Sequence, residues 1–366
     1  MGWFIFGIGP AIIFLRDDLH LSRAAASAHS LAMSIGGITA GLIGQRLTHK
    51  FGRGWLLRSA SLVFASGITL FCLADSIYLT MAGVTITLIG VATVVQSTAA
   101  YLSGHHGRAA PAAISELHGA AAGFGLLSPV VIGVCVTYGF GWRLGLAFGA
   151  LAILIVEFLR GIDTSKYGIP FELTETESQH DAPGSLPRAF WWAATAMICT
   201  SGVEYAVLLW SSDYLRTNGG FAKGASAIAL GCVVGAMAVG RFLGSALTRR
   251  ISAEHLYLGS LALALVGFLA FWSSTNSIAL VTCLTLTGLG LSLHFPFGID
   301  RAIIASAGRA DKAASRIAIA TGISGGVAPF AIGLLADHIG VRSAFLVVPS
   351  ALALAILVAT KNPVRR

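Results

Sequence analysis

The apolar runs of this chain contain few ionisable side chains, and Glu204 is the clearest of them. It lies four residues beyond the middle of a run from 189 to 212, beside Thr200 and Tyr205. A charged side chain at the centre of a membrane helix costs on the order of 2.5 to 3.5 kcal/mol, so such residues usually bind ions or carry protons. We therefore interpret Glu204 as a carboxylate that carries a proton or binds a cation. The alternative is a hydrogen bond that only ties this helix to a neighbour.

Other polar side chains in apolar runs are candidates for the same chemistry. His294 lies just before Pro296, which frees a backbone carbonyl, and the titration range of histidine suits proton transfer. Gln96 and Tyr101 are polar residues on another run and could line a cavity. For His294 the alternative is a packing residue held by hydrogen bonds.

The composition indicates a membrane protein. Of the 366 residues, 55% are hydrophobic and 11% are charged, and the mean hydropathy is +0.80. A soluble protein of this composition would lack the polar surface that it needs. Runs of roughly 20 apolar residues span a hydrocarbon core of ~30 Å. Such runs predict twelve membrane-spanning helices, at 1 to 15, 25 to 47, 55 to 74, 77 to 103, 110 to 137, 142 to 160, 189 to 212, 224 to 247, 255 to 274, 278 to 299, 312 to 335 and 342 to 360.

A repeat with an offset of 200 residues divides the chain into two like-oriented halves. The segment from Gly44 to Gly52 aligns without a gap with the segment from Gly244 to Ser252, and Arg16 aligns with Arg216. Two like-oriented halves, each with an even number of spans, are the plan of a transporter that rocks about a central site.

A polar stretch from 161 to 188 separates the two halves. It mixes acidic and basic residues with three prolines, as linkers between domains do. We therefore predict a first bundle at 1–160 and a second at 189–366, joined by a cytoplasmic linker. By the repeat offset, the first span should begin about ten residues before Met1, so this span is either short or incomplete.

The distribution of basic residues predicts how the chain crosses the membrane. With both termini on one side, that side has 18 of the 24 Lys and Arg residues. By the positive-inside rule this side is cytoplasmic, which predicts a multi-pass protein of the cytoplasmic (inner) membrane with both termini in the cytoplasm. The basic residues are scattered singly, so the net charge of +8 does not indicate nucleic-acid binding. The six on the other side are Arg16, Arg23, Arg143, Arg216, Lys223 and Arg342.

Neither a metal centre nor an enzyme active site is indicated. The five cysteines are isolated in apolar runs without a CxxC spacing, and His105 and His106 have no further ligands beside them. No spacing suggests a nucleophile with a converging base. We expect no cofactor, no metal and no enzymatic activity.

The connection after span 2 carries a family motif. Leu47, Lys50, Gly52 and Arg53 fit the pattern Gly-x-Leu-x-Asp-Arg-x-Gly-Arg, with His49 at the position of the aspartate. With this motif and the repeat, the chain resembles a bacterial member of the major facilitator superfamily over essentially its whole length. The resemblance implies an all-α polytopic membrane protein with twelve transmembrane helices in two pseudo-symmetric six-helix bundles. It also implies that His49, Lys50 and Arg53 belong to a cytoplasmic gate.

The resemblance assigns roles to further residues. In this family spans 1, 4, 7 and 10 line the cavity, which makes Glu204 the first candidate for the proton or cation site. Spans 5 and 8 meet between the halves, so Glu116 and Arg241, each about six residues from the cytoplasmic end of its span, could form an ion pair that gates the cavity. In the opposite interface the related positions are Gly41 and Arg316. The alternative is that Glu116 and Arg241 reach the cytoplasmic interface separately.

Pro129 and Gly133 match part of the family's antiporter signature in span 5. Gly325, Pro329 and Gly333 repeat the arrangement in span 11. Because close packing of membrane helices needs small residues, we interpret both as packing motifs.

Together these features predict a secondary active transporter that moves a small molecule across the membrane by alternating access. The cavity spans have one carboxylate and no Lys or Arg near the membrane centre, which disfavours a multiply charged anion. We expect a neutral, amphipathic or cationic substrate, coupling to protons, and a monomer in the lipid bilayer. The alternatives are a solute uptake symporter or uniporter instead of an exporter, and a membrane sensor that transports nothing.

Overall fold

The computed structural model describes residues 1–106, 110–161, 185–248 and 250–362. Within these ranges the chain forms thirteen α-helices and no β-strand. Ten segments in the same ranges are long and apolar enough to cross a membrane. The helices are α1 (Gly2–Asp18), α2 (Arg23–Phe51), α3 (Arg53–Leu73), α4 (Ile77–His106), α5 (Ala110–Thr137), α6 (Trp142–Arg160), α7 (Arg188–Thr217), α8 (Lys223–Leu247), α9 (Ala253–Ser273), α10 (Ser277–Leu291), α11 (His294–Ile304), α12 (Ala310–Ala344) and α13 (Val347–Lys361).

The predicted spans correspond to these helices in order, except that span 10 is not one continuous helix. The predicted span from 278 to 299 falls within one apolar segment, Ser277–Ile304, but this segment is interrupted, because α10 ends at Leu291 and α11 begins at His294. Pro296 has no N–H to donate to the carbonyl of Ser292, so the helical hydrogen-bond pattern is interrupted at this point. Predicted spans 11 and 12 are therefore α12 and α13.

Local sequence signals set several helix ends. Ser22 precedes α2 and Ser252 precedes α9, and the Oγ of each accepts a hydrogen bond from a backbone N–H of the first turn. Gly52 joins α2 to α3 with a φ of +79°, a conformation that glycine adopts at little cost. The connection between α2 and α3 is therefore a single residue.

The two halves, α1–α6 and α7–α13, pack in a pseudo-symmetric arrangement. Within the halves, α3 packs on α4 and α9 packs on α10, which are equivalent pairs in the repeat. Between the halves, α2 packs on α12 and α5 packs on α8. The repeat relates α2 to α8 and α5 to α12, so these two contacts are also equivalent. Because α1 also touches α7, the interface between the halves consists of helices that the repeat relates to one another.

The α2–α12 contact is tightest near one end of the molecule. We call the end with the α1–α2 and α7–α8 connections the outer face, since the charge distribution predicts it to lie outside, and the opposite end the inner face. A Cβ added at Gly333, near the outer face, would lie 2.2 Å from the Oγ of Ser27. Farther from that face, one added at Gly322 would lie 3.9 Å from the side chain of Ile38, and the Oγ of Ser34 donates a hydrogen bond to the carbonyl of Gly322 at 2.6 Å. The two helices are therefore in ordinary contact there and in closer contact at the outer face.

The α5–α8 contact is also close near the outer face, where a Cβ added at Gly133 would lie 2.5 Å from the carbonyl oxygen of Gly224. The contact continues toward the inner face, where a Cβ added at Gly119 would lie 3.3 Å from the ring of Phe242. Gly133 and its repeat partner Gly333 both lie in close contacts between helices of different halves. This position is what the packing interpretation of the two motifs predicts.

Candidate functional site

Glu204 lies in the middle of α7, and its carboxylate faces the guanidinium of Arg241 on α8. The Oε1 of Glu204 and the Nη2 of Arg241 are 3.9 Å apart, and the two side chains are 16% and 27% exposed. This distance is longer than the roughly 2.8 Å of a hydrogen-bonded ion pair. The two groups therefore attract each other by charge without a direct hydrogen bond, and both remain accessible to solvent.

Thr200 and Tyr205, the predicted neighbours of Glu204, have different surroundings. Thr200 is buried, and its hydroxyl donates to the carbonyl of Met197 in the same helix at 3.1 Å. Tyr205 is 36% exposed, and its ring lies against Gly325 of α12, where an added Cβ would be 2.9 Å from the ring. Tyr205 can therefore contact a solute more readily than Thr200 can.

Gln96, Tyr101 and His294 lie in three further environments. Gln96 is exposed, with its amide beside Gly44 of α2, and Tyr101 stacks on a neighbouring histidine ring with centroids 5.7 Å apart. His294 is buried with its ring centroid 6.4 Å from that of Tyr257, and neither of its ring nitrogens has a hydrogen-bond partner among the described residues. No hydrogen bond within the described part of the chain joins Gln96 or His294 to the carboxylate of α7.

The predicted gate residues Glu116 and Arg241 are not paired in this conformation. Arg241 faces Glu204, while Glu116 is exposed and forms no ion pair with any described side chain. The Glu116–Arg241 pair therefore stays a prediction for another conformation of the protein.

The other predicted gate residues lie near the inner face. The Nζ of Lys50 is 5.2 Å from the centroid of the neighbouring Phe51 ring, and Arg53 is the first residue of α3. Arg316 is exposed on α12. His49 lies in α2, but its side chain is outside the described residues. The gate function of these residues remains a prediction.

A buried carboxylate that the sequence analysis did not single out lies near the outer face. Asp213 of α7 is fully buried, and two basic side chains of the first half bind it. The Nη1 of Arg16 lies 2.9 Å from its Oδ1, and the Nε of Arg23 lies 2.8 Å from its Oδ2. Asp213 is therefore bound on both carboxylate oxygens from across the interface.

A second carboxylate at the outer face has the reverse arrangement. Asp17 of α1 belongs to the first half, and its Oδ2 lies 2.7 Å from the Nη2 of Arg216 and 3.3 Å from the Nζ of Lys223, both in the second half. A third, Asp337 of α12, accepts hydrogen bonds from the backbone N–H groups of Arg23 at 2.8 Å and of its neighbour at 2.9 Å. Every ion pair between the halves that joins described side chains lies at this face.

The bases in these outer-face ion pairs could be recognised from the sequence. They recur at the repeat offset, Arg16 with Arg216 and Arg23 with Lys223, although the sequence analysis draws only the membrane topology from them. The acids do not recur, so the repeat does not indicate which carboxylates the bases bind. Among the described residues there is no group of three or more His, Cys, Asp or Glu side chains that could hold a metal ion.

The chain was compared with known families and curated proteins. A model of the Major Facilitator Superfamily matches residues 1–297, which confirms the resemblance inferred from the motif and the repeat. "Probable polyol transporter 4" of Arabidopsis thaliana is 24% identical over 165 residues, which cover 43% of this chain and 31% of that protein. The matched segment therefore spans about a third of the relative's length.

Several solved structures are similar to this one over almost the whole chain. The xylose transporter XylE from E. coli, in a partially occluded inward open conformation, has a TM-score of 0.77 at 14% identity and covers 98% of this chain and 96% of its own. A bacterial homolog of the human lysosomal transporter Spinster has a TM-score of 0.69 at 14% identity, with 98% and 95% covered. The E. coli fucose:proton symporter FucP has a TM-score of 0.58 at 18% identity, with 99% and 97% covered. These likenesses confirm the predicted fold of twelve transmembrane helices in two pseudo-symmetric bundles.

Proposed function

Because this chain belongs to the Major Facilitator Superfamily, we propose that it is a secondary active transporter that moves a small neutral polar molecule by alternating access, coupled to protons. The names of similar proteins support the substrate class, since they include a probable polyol transporter, a xylose transporter and a fucose:proton symporter. The observation that carries the coupling is the Glu204–Arg241 pair, a carboxylate in the middle of a membrane helix with a single facing base.

The transport cycle consists of rocking one half, 1–160, against the other, 189–366. The pseudo-symmetric contacts α2–α12 and α5–α8 support this division, because each can open at one face as it closes at the other. In the present conformation the close helix contacts and the ion pairs between the halves lie at the outer face, which supports a state of the cycle that is closed at this face.

The coupling step is protonation of Glu204. A proton taken from the aqueous cavity adds to the carboxylate and removes its negative charge, which ends the attraction on Arg241. At 3.9 Å the pair has no direct hydrogen bond to break, so the change consists of the lost Coulomb attraction between the two groups. The released Arg241 is then free to pair with Glu116 when α5 and α8 approach at the inner face. Deprotonation of Glu204 reverses the step.

The charge of the cavity favours a neutral solute. Arg241 is the base that faces Glu204, and a multiply charged anion would compete with this carboxylate for it. The half-exposed hydroxyl of Tyr205 and the exposed amide of Gln96 can exchange hydrogen bonds with a polyhydroxylated molecule. Tyr101 and His294 are further candidates for contacts with solute or proton.

Proton movement in sealed proteoliposomes tests this proposal. The purified protein is reconstituted with an internal pH dye and challenged with sugars and polyols, and with cationic and anionic metabolites as separate sets. A pH change that depends on the neutral set is expected, and Glu204→Gln should abolish it while the protein stays folded and inserted. Asp75→Asn is the matched control, because Asp75 is a carboxylate that is 90% exposed at the outer face.

Two outcomes would contradict parts of the proposal. Normal proton-coupled flux in Glu204→Gln would refute the role of this carboxylate. Uptake of a radiolabelled polyol without any pH change would indicate a uniporter. If no solute in any set crosses the membrane with folded protein, the proposed substrate class is refuted, and the alternatives are transport of another solute or a sensor that transports nothing.

A further inference from the structure

We infer that the charged residues at the outer face form a latch that holds this face closed. The latch has two arms, one around Asp213 and one around Asp17, and the Asp213 arm stabilises the closed face more strongly. The outer latch comprises two acids and four bases: Asp213 with Arg16 and Arg23, and Asp17 with Arg216 and Lys223. This inference rests on the proposed function in one respect, since a latch has a role only in a protein whose two halves separate.

The latch is reciprocal between the halves. Asp17, supplied by the first half, binds two bases of the second, and Asp213, supplied by the second half, binds two bases of the first. All four ion pairs therefore join groups that move apart when the outer face opens. These four pairs exist only while the outer face is closed and therefore stabilise that state. Arg16 also lies 3.4 Å from Asp17 within the first half, and this contact does not depend on the approach of the halves.

The two arms differ in burial. Asp213 is fully buried, with Arg16 and Arg23 only 13% and 25% exposed. Asp17 is 23% exposed, and its partners Arg216 and Lys223 are 16% and 60% exposed, so this arm is buried on one side only. Exposed ion pairs contribute little, whereas loss of one partner from a buried pair leaves an uncompensated charge. The Asp213 arm is therefore the stronger one.

A third carboxylate reinforces the Asp213 arm. Asp337 of α12 accepts hydrogen bonds from the first two backbone N–H groups of α2, those of Arg23 and Ala24. A carboxylate at this position satisfies unpaired N–H groups and complements the positive end of the helix. The start of α2 is thus bound by two carboxylates of the second half, one on the Arg23 side chain and one on its backbone.

The same face offers a matched control within one half. Asp18, next to Asp17 in sequence, accepts a hydrogen bond from the indole N–H of Trp142 at 2.9 Å and forms an ion pair with Arg143. All three residues belong to the first half and move together. Asp18→Asn removes an outer-face carboxylate of similar exposure to Asp17 without touching the contact between the halves.

Distances between spin labels measure the opening directly. Tyr78 and Ile278 are repeat partners near the outer ends of α4 and α10 and are 83% and 78% exposed. Both are replaced by labelled cysteines in a background without the five native cysteines, and double electron–electron resonance is recorded in nanodiscs. Thermal unfolding of each variant is measured in parallel, so a folding defect is recognised.

Asp213→Asn should raise the ratio of open to closed outer face by about 30-fold, and Asp17→Asn by about fivefold. Asp18→Asn should leave the distances unchanged. If Asp213→Asn proves unstable, the double variant Arg16→Gln/Arg23→Gln removes the same arm from the other side.

Two results would overturn the latch. One is an unchanged distance distribution when Asp17→Asn and Asp213→Asn are combined, and the other is a larger effect of Asp17→Asn than of Asp213→Asn. The distances do not depend on solute or proton flux. A protein that opens as expected but moves no solute would therefore retain the latch while the proposed transport function fails.

Discussion

Replacement of Gly133 by alanine tests whether the tight α5–α8 contact belongs to one conformation only. The added Cβ would lie 2.5 Å from the carbonyl oxygen of Gly224 and 2.6 Å from the Cγ1 of Ile228. Both atoms belong to α8, in the other half, so the clash exists only while the outer face is closed. Ordinary contact of a Cβ begins at 3.4 Å, and the difference from 2.5 Å requires the two helices to part by about 0.9 Å.

The expected size of the effect follows from the atoms involved. Inserting a methyl group into a well-packed contact costs about 1 to 3 kcal/mol. The carbonyl oxygen of Gly224 is a backbone atom that cannot rotate away, so we expect about 2 kcal/mol, within that range. Since about 1.36 kcal/mol corresponds to a factor of ten, Gly133→Ala should shift the ratio of open to closed outer face by about 30-fold.

The spin-label pair at positions 78 and 278 reports this shift as growth of the longer distance in Gly133→Ala. Gly259→Ala is the control, because Gly259 lies in a helix at a position where an added Cβ meets no atom within 4 Å. It should change neither the distances nor the thermal unfolding temperature. If Gly133→Ala lowers the unfolding temperature without changing the distance distribution, the contact is permanent packing and the reasoning is refuted.

Three further predictions concern other contacts. Ser30→Ala removes the hydrogen bond that Ser30 donates to the carbonyl of Gly326 across the halves at 2.7 Å, and should weaken the closed outer face by about 1 kcal/mol in the spin-label assay. Arg301→Leu should lower the free energy of unfolding by about 3 kcal/mol, because the buried Arg301 binds Glu254 and two backbone carbonyls. Thermal unfolding checks this, and an unchanged melting temperature would contradict it. Arg241→Gln should lower solute-driven proton flux several-fold in the pH-dye assay with no loss of folded protein. Unaltered flux would show that Arg241 takes no part in coupling.

The fold was predictable because its signals are local or periodic. Apolar runs long enough for a bilayer predicted the helices, and the 200-residue repeat predicted two related halves. The exception shows the limit of run length as a signal, since α10 and α11 form one apolar run that Pro296 divides. A proline can also lie inside a helix without ending it, as Pro129 does in α5. Whether a proline interrupts a helix depends on neighbouring packing as well as on its own chemistry.

The site was predictable only in part. Glu204 was recognisable because an acid in an apolar run is costly, and the structure supplies its partner, Arg241. From the sequence, Arg241 is predicted to pair with Glu116. The depth of a residue in the membrane can be counted along its helix, but the direction in which its side chain points about the helix axis cannot. Which of two acids a base faces also depends on the conformation, and one conformation is described here.

The sequence by itself determined that the chain is a membrane protein of two repeated halves, and it identified the basic residues that recur between them. Hydrophobic runs and repeats can be read from the order of residues alone, without knowledge of the folded structure. Only the tertiary structure decided that Arg23 binds Asp213 and that Arg216 binds Asp17, pairs separated by 190 and 199 residues. Ion pairs form over a few ångströms, so the way in which two helices of different halves approach decides which residues pair. That approach cannot be read from the order of residues.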